Sequence, residues 1–331
     1  MSAPAPSMFT PAAKAMAEKL GLTMGKANLD EFAATLTTLA EADPNVVVVT
    51  SDSRGSGKLT AYAKDRPAQL IEVGIAEQNL VGITAGLAAC GKRPFGVSPA
   101  CFLTARSLEQ IKNDICYSNV PGVLIGISSG VSYGALGTTH HSLHDLAVLR
   151  AINNITILVP ADNFEARESI RAAAAATRPV FVRFGKATMY HLHPAGTNFE
   201  MGRAITLAEG NDVALIATGE TVVHARLAAG LLAAEGISAR VVSMHTIKPL
   251  DTEAILRAGR ECRGVLTVEE HLVNGGLGEA CATVLMKAGV QTRFDLVGIP
   301  DEDTVTGAQA DIFRHYGISM EGLTARAKSL L

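Results

Sequence analysis

The chain has 331 residues, 48% of them hydrophobic and 18% charged, a length and composition that predict two globular domains and exclude a disordered polymer. A net charge of −3 without clustered Lys and Arg, no tryptophan and only 5% aromatic residues exclude a nucleic-acid interface built on phosphate contacts or base stacking. No apolar run is long and charge-free enough to span a bilayer, because Glu77, Gln78 and Asn79 interrupt the Gly-rich stretch at 73–91; the protein is expected to be soluble. Five cysteines without a CxxC pair (Cys90, Cys101, Cys116, Cys262 and Cys281) predict a reducing, cytoplasmic setting rather than a disulfide framework or a zinc ribbon.

Residues 1–20 lack the pattern of a secretory signal and read as a flexible segment entering an Ala-rich helix. A first domain is predicted over 21–190. In it, β-branched runs at Val46–Thr50, Gln69–Val73, Val123–Ser128, Ile155–Pro160 and Pro179–Phe184 alternate with small-residue helices, the signature of βα units around a mainly parallel sheet. Asp162 is placed to cap the helix Phe164–Ala176, and Arg178-Pro179 ends it. Turn formers from Tyr190 to Asn198 mark a linker. The pattern restarts in a second domain at 200–331, with strands at Val213–Thr218, Ala239–Ser243 and Gly264–Val268 and helices at Val222–Glu235 and Asp251–Arg260. Both domains are therefore expected to be α/β, each a mainly parallel sheet flanked by helices.

The candidates for chemistry lie mostly where strands give way to helices, the edge at which parallel sheets collect ligands. Glu77 is one carboxylate planted among Gly, Ala and branched apolar residues directly after the strand ending Ile71-Glu72-Val73. It must reach solvent, find a partner or stay protonated, since an unpaired buried charge is costly; a place in a first helical turn, favoured by the helix dipole, is its plainer role. The loop Gly134-Ala135-Leu136-Gly137-Thr138-Thr139-His140-His141 combines glycines that let backbone approach a ligand with a histidine able to transfer protons near neutrality. His140 and His144 share the spacing of a helical metal pair, but no third ligand is evident and no metal site is expected in this chain. His144 and Asp145 read as a solvated first helical turn. Asp52–Leu59 fails as a P-loop, with Asp52 for the first glycine and Leu59 for the final Ser or Thr. Asn274-Gly275-Gly276-Leu277-Gly278 lacks the third Gly or Ala of a dinucleotide fingerprint, Cys281 standing in its place, and reads as a tight strand-to-helix turn.

Over nearly its whole length the chain resembles the C-terminal half of transketolase-type thiamine diphosphate enzymes. The motifs occur in order: Ser51-Asp52, Gly74-Ile75-Ala76-Glu77-Gln78-Asn79, Phe102-Leu103 with Arg106 and Glu109-Gln110, Gly137-Thr138-Thr139-His140, Pro160-Ala161-Asp162, Pro179-Val180-Phe181-Val182-Arg183, and Glu269-Glu270-His271 with Gly275-Gly276-Leu277-Gly278. The resemblance implies a pyrimidine-binding domain followed by a smaller C-terminal domain concerned with dimer contacts rather than chemistry. It implies that Glu77 hydrogen-bonds N1′ of the cofactor's aminopyrimidine, so that the 4′-nitrogen can take the thiazolium proton, and that burial raises the carboxyl's pKa for this task. Phe102 is expected to pack on the aminopyrimidine, and Asp52 to lie where two subunits' cofactor regions meet. His140 is expected to contact substrate oxygens, and Ser56 and Arg183 to hold a sugar phosphate, with a guanidinium suited to bidentate anion recognition.

Two departures bear on the substrate. Leu136 stands where many transketolases have an aspartate that reads a donor hydroxyl, and Ser128 where they have a phosphate-binding histidine, which leaves room for an unusual phosphorylated or sulfonated ketose. Full-length relatives hold the diphosphate and Mg²⁺ through a Gly-Asp-Gly segment, which this sequence lacks. The resemblance thus implies a split transketolase, a transferase of carbohydrate metabolism, whose N-terminal partner subunit supplies the metal and diphosphate ligands in an α2β2 heterotetramer acting on phosphorylated sugars. The alternatives are the β subunit of a 2-oxo acid dehydrogenase, a deoxyxylulose phosphate synthase-like fragment and, outside enzymes, a scaffold or regulatory subunit. The Gly-Thr-Thr-His-His loop, Ser56 and Arg183 favour transketolase.

Overall fold

Val46–Thr50 is an unbroken run of β-branched residues, a pattern that suits a strand covered on both faces, and all five are buried between two parallel neighbours. The computed structural model describes residues 7–331. Its strands in chain order are β1 (Met24–Ala27), β2 (Val46–Thr50), β3 (Leu70–Glu72), β4 (Arg93–Pro99), β5 (Val123–Ile127), β6 (Thr156–Leu158), β7 (Val180–Arg183), β8 (Thr188–Tyr190), β9 (Ile205–Ala208), β10 (Val213–Ala217), β11 (Ala239–Ser243), β12 (Thr246–Lys248), β13 (Gly264–Leu272) and β14 (Arg293–Ile299). They form a seven-stranded sheet of order β12-β6-β7-β5-β4-β2-β3, a five-stranded sheet of order β14-β13-β10-β11-β9, and a ribbon of β1 with β8. Within the two large sheets only β12 and β9 run antiparallel, both at edges.

The sequence pattern missed β4, which carries Pro94 and Pro99 and so reads as a non-strand. Its Gly96 explains how the next layer fits. A Cβ there would stand 2.7 Å from Thr84 Oγ1 and 2.9 Å from Leu80 Cδ2, both on the helix Glu77–Ala89, so only glycine lets that helix lie flat on the strand. The same helix buries Leu80, Val81, Thr84, Ala85 and Ala88, one helical stripe, with about 1.5–3 kcal/mol for each fully buried Leu or Val. This packing sets the position of Glu77 at the first turn.

The domains share material in a way the periodicity does not show. Strand β12 belongs by sequence to the second domain but pairs with β6 and completes the first domain's sheet. One apolar cluster accordingly runs from Leu80 and Leu124 through Ile157 and Ile247 to Ile216 and Val265. The expectation of a flexible segment over 1–20 also needs correction. Residues 1–6 lie outside the described residues, but Thr10 caps a helix over Pro11–Lys19 through Ala13 N–H, and Phe9, Ala13 and Ala17 are buried against Val223 and Leu227 of the second domain. Alanine-rich surface is enough to dock this helix because small side chains allow close approach.

Residues 191–204 contain no helix or strand. Inside this connection the His193 side chain is fully buried between two carboxylates, with Nδ1 3.0 Å from Asp162 Oδ2 and Nε2 3.1 Å from Glu165 Oε1. Asp162 also caps its helix through Glu165 N–H, and Glu165 accepts a bond from Ser243 Oγ of β11, so first domain, linker and second domain meet at one imidazole. Burial opposes its charge, but the two carboxylates outweigh burial and lift the His193 pKa to about 10. A folded-state pKa above the ordinary 6.5 stabilises the fold fully below 6.5, and that contribution is lost as pH rises through about 10. His193→Gln should cost about 3–5 kcal/mol near pH 6.5, the scale for breaking a buried ionic cluster. Denaturant melts of both proteins should show the difference shrinking as the pH is raised towards 10.

Candidate active site

Five loops converge at the carboxyl edge of the first sheet. The loop after β2 carries Asp52, Ser56 and Lys58; β3 leads to Glu77, β4 to Phe102, β5 to His140, and β7 to Lys186. Glu77 is 4% exposed, and its Oε1 accepts a 2.9 Å hydrogen bond from Arg106 Nη1. Of the three ways a buried carboxylate can be accommodated, the structure uses a partner. Arg106 stands four residues after Phe102 on the helix Ala100–Arg106, so both project from one face, and its guanidinium lies 4.2 Å from the centre of the Phe102 ring. Phe102 is half-buried, and the His140 ring meets it edge-on at 5.3 Å. On its other side His140 meets Tyr133 at 5.5 Å, while its Nδ1 lies 3.0 Å from Thr139 Oγ1. Glu77, Phe102 and His140, far apart in sequence, are thereby brought together with Arg106 and Tyr133.

The loop bearing His140 is anchored by its neighbour. His141 is buried, with Nδ1 2.5 Å from Thr304 Oγ1 of the second domain and Nε2 2.9 Å from the Gly134 carbonyl, and burial lowers its pKa. His144 precedes rather than joins the helix Asp145–Ala151, and its Nε2 lies 3.1 Å from Thr104 Oγ1, so His140 and His144 do not form a helical pair. Among the described residues no group of three or more His, Cys, Asp or Glu side chains is placed to hold a metal ion.

Two expected substrate contacts are turned inward. Arg183 is buried, donating from Nε to Asp145 Oδ2 at 2.8 Å and from Nη2 to the Ser142 carbonyl at 3.0 Å and the Glu270 carbonyl at 2.8 Å. Nε and Nη2 are thus committed to a buried carboxylate and two carbonyls, which gives Arg183 a structural role beside the phosphate contact expected of it. Asp145 is fully buried, not a solvated first-turn residue. Burial pushes its carboxyl up, but the Arg183 charge, His271 and the hydrogen bond from Arg183 outweigh that and hold its pKa below the usual carboxylate range. Ser128 is also fully buried, at a positive φ of 53° directly after β5, and does not reach the open face. Ser56 and Asp52 are exposed on the loop after β2, Asp52 held at a φ of 52° by its N–H bond to Glu72 Oε1.

A cation the sequence reading passed over takes the open position. Lys186 Nζ stands 4.7 Å from the centre of the Tyr133 ring, and partial burial together with the Lys58 charge lowers its pKa. Lys58 itself lies 3.4 Å from Asp30 Oδ1, which leaves Lys186 as an open cation of this edge. The signal was present as Lys186, three residues beyond Arg183, but telling an inward from an outward basic residue past a strand end needs the register of β7. A cleft of about 750 Å³ between the domains takes in Tyr133, Lys186 and Gln309 but none of Glu77, Phe102 and His140.

The Gly275–Gly278 turn holds an anion of its own. Glu269 of β13 accepts from the N–H groups of Leu277 and Gly278 at 2.7 and 2.8 Å, at the start of the helix Leu277–Lys287, and a Cβ on Gly276 would stand 1.9 Å from its Oε2. The carboxylate occupies the place a phosphate takes in nucleotide folds. Burial, partly offset by those two N–H groups, raises its pKa to about 7.

Residues 26–190 match the family model of the transketolase pyrimidine binding domain and residues 202–323 that of the transketolase C-terminal domain. The chain is 46% identical over 297 residues to one of the subunits of the apulose-4-phosphate transketolase of Phocaeicola vulgatus, covering 89% of this chain and 95% of that one. It is 33% identical to a 6-deoxy-6-sulfo-D-fructose transketolase subunit of Clostridium, covering 82% and 87%. Among solved structures it is similar to a split gene transketolase described as an inactive beta4 tetramer, with a TM-score of 0.84 at 34% identity over 93% of this chain and 99% of the other.

The inward role of Arg183 has a direct test. Arg183→Met should lower the unfolding free energy of the chain by about 3–5 kcal/mol, because it strands buried Asp145; an arginine that served only substrate would leave chemical denaturation midpoints unchanged.

Proposed function

The chain belongs to the transketolase family, as the C-terminal subunit of a split thiamine-dependent transketolase, and from that premise we propose that it transfers a two-carbon ketol unit from a ketose phosphate to an aldose phosphate, the face around Glu77 being its half of the active site. The observation that carries this reading is the meeting of Glu77, Phe102 and His140 at the carboxyl edge of the first sheet. Bound thiamine diphosphate supplies the nucleophilic carbon and the electron sink for the two-carbon unit. The residues present suit its aminopyrimidine: a buried carboxylate to hold a ring-nitrogen proton, beside an aromatic face on which a flat ring can stack. In this reading Glu77 keeps that proton in place, Phe102 orients the ring and shields it from water, and His140, fixed between Phe102 and Tyr133, presents its Nε2 to substrate oxygens. Lys186, with Lys58 and Ser56, receives the sugar phosphate.

The metal and diphosphate ligands, with Mg²⁺ as the ion, are assigned to an N-terminal partner subunit in an α2β2 assembly. Relatives that are themselves one subunit of a larger transketolase, or a C-terminal section of one, support a partner. So does the openness of the face itself, where Ile75 is 74% and Leu136 54% exposed. A cytoplasmic setting rests on five free cysteines. Leu136 offers no hydrogen bond to a donor hydroxyl, which favours a donor other than an ordinary pentose phosphate, and the 46% identical relative makes apulose 4-phosphate the first to try.

The assay is ketol transfer with thiamine diphosphate and Mg²⁺, using this chain alone and mixed with a candidate N-terminal subunit, with xylulose 5-phosphate and apulose 4-phosphate as donors. Turnover is expected only in the mixture; activity of the chain alone would refute the half-site. In the assembled enzyme Glu77→Gln should lower kcat by about 10²–10⁴-fold with assembly intact, and an unchanged kcat would end the acid–base reading. Lys186→Gln should raise KM for the phosphorylated substrate about tenfold with kcat little altered, the pattern of a lost binding contact.

A further inference from the structure

Arg106 makes both contacts at this face that the proposed function gives to the aminopyrimidine. It donates to Glu77 Oε1 at 2.9 Å and lies over the Phe102 ring at 4.2 Å. We propose that Arg106 is a placeholder: its guanidinium seats itself between Glu77 and Phe102 in the chain alone and must swing out before the cofactor's ring can enter. This rests on the assignment of Glu77 and Phe102 to the cofactor.

The geometry makes the two occupants mutually exclusive. A guanidinium and an aminopyrimidine are both flat, both present N–H groups to a carboxylate, and both stack on an aromatic face. Glu77 Oε1 and the Phe102 face under the guanidinium cannot serve both at once. The side chain is also the movable member of the pair, since Arg106 is 47% exposed whereas Glu77 is 4% exposed. Among the described residues Glu77 is its only polar side-chain partner, whereas the Arg106 backbone is held separately, its carbonyl accepting from Gln78 Nε2 at 3.1 Å. Swinging the guanidinium into solvent therefore breaks one hydrogen bond and one stacking contact and disturbs no backbone. The arrangement answers a physical need, because a buried carboxylate without the cofactor would otherwise stand unpaired. Cofactor entry then replaces one partner of Glu77 by another, and the apparent affinity is lower than the bare seat would give.

The test is calorimetric titration of thiamine diphosphate, with Mg²⁺, into the assembled two-subunit enzyme. Arg106→Gln should tighten binding about five- to tenfold, from removal of a half-exposed ion pair and a cation–π contact, while lowering the thermal midpoint of the free chain. Arg106→Lys, which keeps the charge but not the flat stacking surface, should fall between and serves where Arg106→Gln does not assemble. In a Glu77→Gln background the gain from Arg106→Gln should shrink below about twofold, as a coupled pair requires. Unchanged or weaker binding in Arg106→Gln would overturn the placeholder and make Arg106 a contact of the bound state. Failure of the wild-type assembly to bind thiamine diphosphate would instead remove the cofactor reading, and the placeholder with it.

Discussion

Arg183 reaches from the end of β7 into the seam between the domains, and the geometry of the open face depends on where it stops. Its guanidinium joins Asp145 on one helix, the Ser142 carbonyl of the loop after β5, and the Glu270 carbonyl of β13 in the second domain. A buried charge tolerates little error in its surroundings, because each displaced partner leaves a desolvated ion behind. The loop that carries His140 is therefore held just beyond that residue, through Ser142 by Arg183 and through His141 by Thr304. Precision at a half-buried histidine is obtained from bonds that are themselves buried.

The second domain directs its acidic residues to structure. Glu269 fills the anion position at a helix N-terminus. Glu270 accepts from Val131 N–H, and Gln309 bridges it to Glu220 with 2.9 Å bonds to each carboxylate. Burial raises the pKa of all three, repulsion from Glu270 adds to the rise for Glu220 and repulsion from Asp145 to that for Glu270, so their charge is held in check by the fold. Such groups tie β13 to the first domain's loops and are closed to substrate. The strand exchange of β12 acts in the same direction, since the first sheet is incomplete without a piece of the second domain.

The open face around Glu77 has the opposite character. Apolar Ile75 and Leu136 are exposed on it, and the buried Glu77 carboxylate is balanced by an arginine that is itself half in water. A surface of this kind suits a site finished by another chain, because water can be excluded only when a second surface closes over it.

How much of this was legible follows from the range of the forces involved. The strands β2, β5, β7, β10 and β11 and the Asp162 and Asp251 caps are local events, set by β-branched runs and by side chains that bond backbone three residues away, and the sequence determined them within a residue or two. The ordered motifs likewise determined the family, and they are the source of the proposed roles of Glu77, Phe102 and His140. Strand β4 escaped because its prolines obscure a strand that packing stabilises, and β12 because three residues carry no period and pair across a domain boundary. The partner of Glu77, the inward turn of Arg183, the burial of Ser128 and Asp145 and the outward place of Lys186 were decided by tertiary structure alone. Whether a charged side chain past a strand end faces solvent or seam depends on sheet register and on residues that, for Arg183, lie 38 to 87 positions away, and burial, which sets the cost of a charge, exists only once those have met.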